Sequence, residues 1–210
     1  MKRFTPALLI LTAVCMMALV SCEDEKEPVG TMFSGFMTGY TDSEGYMTVL
    51  NDDFGKQYMV REKSDKLRPD TMYRIVATVE LDENKTALIH QMVPALSYVA
   101  PESSEIPDSM RVKDPVQIES AYIGGGYLNV NVIIKVKKEA TKHSFRYAHL
   151  NIPGRTEFTF YHNAYGDEPV YSKRAYVSIP LFGYGLTTNS KVFLSCKGYE
   201  EDYAIQLTYK

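Results

Sequence analysis

Apolar and polar residues alternate with a period of two along most of this chain, and no stretch sustains a 3.6-residue apolar stripe. Period-two alternation places successive side chains on opposite sides of an extended backbone, so the pattern predicts strands. Five are predicted in the first half, at 32–40, 46–50, 57–62, 73–81 and 86–93. Asn51-Asp52-Asp53-Phe54-Gly55 and Asp82-Glu83-Asn84-Lys85 supply turns between them, because Asn, Asp and Gly tolerate the left-handed backbone that tight hairpins demand. From 94 to 115 the alternation gives way to Pro, Ser and acidic residues, which continue neither a helix nor a ladder. Alternation then resumes at 116–123, 127–136, 143–150, 157–161, 171–179, 191–196 and 204–209. The reading is all-β: a small barrel over 31–100, a linker at 101–114 and an antiparallel β-sandwich over 115–210.

The amino terminus breaks the pattern. Lys2 and Arg3 precede an apolar run from Ala7 to Val20, followed by Leu19-Val20-Ser21-Cys22, the arrangement of a lipoprotein signal peptide cut before its cysteine. The run has 14 residues, short of the roughly 20 needed to span a bilayer, so a retained anchor is the weaker reading. Residues 1–21 are therefore expected to be a signal peptide, residues 6–20 a helix packed on neither β unit, and Cys22 the lipid-attachment site that holds the protein in the outer membrane. Residues 22–30 then form an acidic tether. Glu23-Asp24-Glu25-Lys26-Glu27 resembles the signal that exports some lipoproteins to the outer face of that membrane.

Composition narrows the partners. Losing Lys2 and Arg3, and no acid, takes the net charge from −3 to −5, a balance unsuited to nucleic acid, whose binding rests on Lys and Arg neutralising phosphates. Of three cysteines, Cys15 leaves with the signal and Cys22 takes lipid, so Cys196 remains and no disulfide framework exists.

Candidate chemistry is sparse. Gly124-Gly125-Gly126 precedes an alternating strand rather than a helix, so it is expected in a hairpin turn, with Tyr127 and Asn129 on one face and Leu128 and Val130 on the other. His90, His143, His149 and His162 are the only histidines. His143 and His149 share a strand face but lie about 20 Å apart, which rules out a shared metal within that strand. Cys196, with Val192 and Leu194 on its own face, is expected to be a buried, inert thiol. Asp52, Asp53, Glu200, Glu201 and Asp202 all fall in turns and are expected to face solvent, which gives no reason to propose a glycosidase pair. Tyrosine is dense at Tyr161, Tyr165, Tyr171, Tyr176, Tyr184, Tyr199, Tyr203 and Tyr209, a pattern that suits either ordinary sheet packing or recognition.

Asp114-Pro115-Val116-Gln117-Ile118, Ala121-Tyr122-Ile123-Gly124-Gly125-Gly126-Tyr127-Leu128-Asn129-Val130 and Lys142-His143-Ser144-Phe145 together resemble the NigD-like lipoproteins. The resemblance implies an OB-type barrel joined to a C-terminal β-sandwich, with a bacteriocin-related immunity or accessory role. It brings no catalytic residue, metal or cofactor. The expected function is therefore a non-enzymatic binding module whose partner is an envelope protein, with a glycan-binding surface lipoprotein or a hydrolase with an unrecognised site as alternatives.

Overall fold

The computed structural model describes residues 30–137 and 142–210. The readings made on the signal peptide and the acidic tether, Cys22 included, lie outside these residues.

Twelve strands carry the described fold: β1 (Thr31–Thr41), β2 (Met47–Asp52), β3 (Gln57–Val60), β4 (Met72–Leu81), β5 (Thr86–Pro94), β6 (Gln117–Gly124), β7 (Tyr127–Val136), β8 (Ser144–Ile152), β9 (Arg155–Asn163), β10 (Tyr171–Pro180), β11 (Lys191–Cys196) and β12 (Tyr203–Thr208). Strands β1 to β5 close into a barrel in the order β1-β2-β3-β5-β4, with β4 returning to β1. This is the five-stranded Greek-key order of an OB-type barrel. Its interior is filled by Met37, Met47, Leu50, Tyr58, Ile75, Ala77, Val79 and Ala87. The odd-numbered Ile75, Ala77 and Val79 of β4 point inward, which turns Arg74 and Val76 out of the barrel.

The remaining strands form a three-stranded sheet, β10-β7-β6, packed on a four-stranded sheet, β12-β11-β9-β8. Leu128, Val130, Val132, Ile134 and Val136 of β7 meet Tyr147, Phe158, Phe160, Val192 and Leu194 from the opposite sheet in one core. Pairing is antiparallel except between β9 and β11, and in the barrel between β3 and β5, which run parallel.

The 101–114 stretch lies along the sandwich rather than hanging free. Leu96 exchanges backbone hydrogen bonds with β10, donating to Tyr176 at 2.8 Å and accepting from Ser178 at 2.9 Å. Pro101 accepts from His149 of β8 at 2.9 Å, and Val112 from His162 of β9 at 3.0 Å. Tyr98 and Tyr147 stack at 4.2 Å, and the Tyr147 hydroxyl both accepts from Tyr98 N at 2.6 Å and donates to Tyr98 O at 2.5 Å. Proline and serine make this segment irregular, while side-chain and backbone bonds fix it.

Candidate binding site at the barrel–sandwich seam

Period-two geometry gives β4 and β7 two faces each, the outward one buried at Arg74 of β4 and at Tyr127 and Asn129 of β7. One face of each fills its own core; the other meets the neighbouring unit. Arg74 leaves the barrel through β4 and its side chain is 3% exposed, as is that of its partner Asp53. Arg74 Nη2 donates to Asp53 Oδ1 at 2.6 Å and to Asn129 Oδ1 at 2.9 Å, Nε donates to Ser178 Oγ at 2.8 Å, and Nη1 donates to Thr38 Oγ1 at 3.2 Å. Asp53 Oδ2 accepts from Asn129 Nδ2 at 2.8 Å and from the Tyr122 hydroxyl at 2.9 Å. Ser178 Oγ donates to Asn129 Oδ1 at 2.6 Å, and the guanidinium lies 4.3 Å from the Tyr127 ring centre. Such a pair tolerates burial only because its remaining donors and acceptors are met, as they are here.

This corrects the expectation that Asp52 and Asp53 face solvent. Asp52 is buried and closes its own hairpin, with Oδ1 accepting from Phe54 N at 2.9 Å and Lys56 N at 2.8 Å. Asp53, one residue on, is aimed the other way and into the seam, where Arg74 awaits it. Asp202 does pair at the surface, 3.2 Å from Lys197.

The Gly124–Gly126 segment turns between β6 and β7 as expected, with Leu128 and Val130 in the sandwich core and Tyr127 and Asn129 at the seam. Its backbone docks on the barrel, with Gly125 N donating to Asp53 O at 3.1 Å. Two exposed aromatics border this turn. Phe54, at the tip of the β2–β3 hairpin, is 80% exposed, and Phe182 is 58% exposed and edge-on to Tyr127 at 6.0 Å. Phe182 follows Leu181, whose N–H donates to Gly126 O at 2.9 Å. A cleft of about 340 Å³ opens along the same seam, between β1 and β4 of the barrel and β6, β7 and β10 of the sandwich.

The other candidates have settled roles. Cys196 is buried, and burial with Asp202 nearby pushes its thiol up to about 12, far from nucleophilic range. His143 and His162, from different parts of the chain, do converge: His143 Nδ1 lies 2.8 Å from His162 Nε2, and His143 Nε2 lies 3.2 Å from Asp167 Oδ2. His162 Nδ1 faces the carbonyls of Asp114 and Pro115, both at 3.3 Å. Carbonyls only accept, so His162 carries its proton on Nδ1 and accepts from His143 through Nε2. Burial, and then the neighbouring His143, hold the His162 pKa below its ordinary value. Among the described residues no three His, Cys, Asp or Glu side chains are placed to hold a metal ion, and no helix is long and apolar enough to cross a membrane. Of the tyrosines, Tyr147 and Tyr161 are buried, whereas Tyr165 and Tyr171 are exposed.

Sequence reasoning could mark Tyr122, Asn129 and the glycines only as parts of a recognisable segment. Arg74 carried no signal at all, since its partners lie 21 to 104 residues away.

The family model of the NigD-like C-terminal β-sandwich domain matches residues 98–209. Among solved structures, a NigD-like immunity protein from Bacteroides caccae is 26% identical, with a TM-score of 0.68 over 86% of this chain and 92% of that one. A toxin-related protein from Parabacteroides distasonis (20% identity, TM-score 0.65, 86% and 94% covered) and a lipoprotein from Bacteroides fragilis (13%, 0.60, 86% and 99%) share the fold. Comparison with curated proteins returns no match.

Proposed function

Starting from the fact that this chain belongs to the family of the NigD-like C-terminal β-sandwich domain, we propose that it is a lipid-anchored envelope protein of the immunity or accessory type, which acts by binding another protein rather than by catalysis. The observation that carries this reading is the pair of exposed aromatics, Phe54 and Phe182, that border the β6–β7 turn docked on the barrel. Isolated exposed rings are ordinary, but two held beside one docked turn form an anchor of the kind that dominates protein interfaces. Both flank the same turn, Phe54 as the neighbour of Asp53, whose carbonyl accepts from Gly125, and Phe182 as the neighbour of Leu181, whose N–H donates to Gly126. Groups that could serve a hydrolase are engaged otherwise: Asp53 by Arg74, Tyr122 and Asn129, and Cys196 by burial. Anchorage through Cys22 in the outer membrane, facing outward behind the acidic run Glu23 to Glu27, is part of the same proposal.

The test uses intact cells making the wild-type chain, Cys22→Ala, or Phe54→Ser with Phe182→Ser. Cys22→Ala is expected to leave the membrane fraction. Chemical crosslinking followed by purification is expected to recover an envelope or toxin protein with the wild type and to lose it, by tenfold or more, with the double variant. Membrane retention of Cys22→Ala would refute the anchor, and capture that ignores Phe54 and Phe182 would refute the interface.

A further inference from the structure

The outer face of the four-stranded sheet sets two cations side by side. Strands β9 and β11 run parallel in a register that puts Val192 beside Thr156, so Lys191, one residue earlier, stands alongside Arg155. Val192, Leu194 and Phe158 fill the core, which turns Lys191, Phe193, Arg155 and Glu157 to the outside. Neighbouring strands lie about 4.8 Å apart, and like charges directly opposite each other destabilise a sheet. The chain balances only one of the two. Glu157 Oε2 lies 2.7 Å from Arg155 Nε, whereas Lys191 donates to Thr208 Oγ1 at 2.7 Å and meets no carboxylate among the described residues.

Arg155 is also held in place. Its guanidinium lies 3.8 Å from the Phe193 ring centre and Glu157 takes Nε, while neither Nη donates a hydrogen bond among the described residues. A guanidinium fixed on a ring with its fork open is oriented for a carboxylate or a phosphate, each of which accepts two parallel N–H bonds. Arg155 and Lys191 both line a cleft of about 360 Å³ between the β8–β9 turn and the β10–β11 connection. Thr156 and Ser190 bring hydroxyls to it, and Tyr184, edge-on to Phe158 at 5.3 Å, gives it an aromatic wall. No Asp or Glu is among its lining residues.

We infer that this cleft is an oxyanion site, which takes the carboxylate or phosphate of a small ligand between Arg155 and Lys191. Two cations against Glu157 leave a positive charge for the ligand to neutralise, and Tyr184 supplies a surface for its body. The chain as a whole is acidic, with a net charge of −3, so this cleft is a place where an anion is attracted rather than repelled. The volume lies at the small end of ligand sites, which run from about 300 to 1,000 Å³, and so admits a compact molecule. Neither Phe54 nor Phe182 lines the cleft, so the site does not rest on the protein partner proposed above.

The test is isothermal titration calorimetry of the full chain in detergent with inorganic phosphate, phenyl phosphate and benzoate, and with benzyl alcohol as the uncharged comparison. At least one anion is expected to bind, more weakly as salt is raised, and benzyl alcohol is not. The tighter of phenyl phosphate and benzoate tells which oxyanion the site prefers. Arg155→Gln and Lys191→Gln are each expected to weaken binding about tenfold or more, the worth of one hydrogen bond to a charged group. Phe193→Leu, which keeps both cations but removes the ring beneath Arg155, is expected to weaken it several-fold. Lys191→Gln is also expected to melt no lower than wild type, because it relieves the like-charged pair, so its loss of binding is not a loss of fold. Phe54→Ser with Phe182→Ser is expected to bind the anion as wild type does, so the two proposals fail separately. Failure of all three anions to bind, equal binding of benzyl alcohol, or binding that survives both Arg155→Gln and Lys191→Gln would overturn the inference.

Discussion

His162 shows how much a single buried side chain can set. Its Nδ1 proton is committed to two carbonyls and its Nε2 accepts from His143, so a second proton would sit against an N–H already pointing at it. Burial first, and His143 second, hold its pKa below the ordinary value. In the unfolded chain the same residue takes up its proton near pH 6.5. Between that point and the lower folded pKa the unfolded state binds more protons, so stability present at neutral pH is lost as pH falls below about 6.5. The slope from this one group is at most about 1.4 kcal/mol per pH unit. Denaturant titrations of wild type and His162→Gln at pH 7.5, 6.5, 5.5 and 5.0 are expected to show a shallower decline in the variant. Parallel curves would mean that another group governs the acid limb.

Among the elements, the β6–β7 hairpin separates what a turn needs from what a docking surface needs. Gly125 and Gly126 both adopt positive φ, +60° and +83°. A Cβ on Gly126 would meet open space, but one on Gly125 would fall 2.5 Å from Asp53 Oδ1. Alanine at either position pays about 1–2 kcal/mol for its left-handed backbone, and Gly125→Ala should add a further loss by prising the turn from the barrel. Urea unfolding that ranks Gly126→Ala as the more damaging would contradict the docked geometry. The strands themselves were legible because period-two alternation and turn-forming residues are local properties; all twelve appear within a few residues of their predicted bounds. The seam was not, because Arg74 reads in the sequence as one charged residue on the polar side of a strand. Only the register that sets β4 against β7 and β10 across the seam shows that its polar side is buried. His143 and His162 were hidden in the same way, 19 residues apart and joined through side chains from different segments.

On the scale of the whole molecule, the Arg74 hub bonds to both barrel and sandwich and is expected to couple their unfolding. Arg74→Ala would strand the Asp53 carboxylate in a dry interface, at a cost of about 3–5 kcal/mol. Calorimetry is expected to show one transition for the wild type and two for Arg74→Ala as the units uncouple; a single, merely lowered transition would place the coupling elsewhere. The segment from Leu96 to Asp114 bears on a different question, how the chain can be cut. Strands β10 and β8 are the outermost strands of their sheets, and Leu96 and Pro101 occupy hydrogen-bonding positions along them. A fragment begun at residue 115 would bare both rows of backbone groups and offer them to other copies as templates for strand addition. Begun before Leu96, the same sandwich carries its own cover. Light scattering is expected to find the shorter fragment self-associating and the longer one monodisperse; equal behaviour of the two would show that the stretch which looks most dispensable in the sequence does not guard these edges.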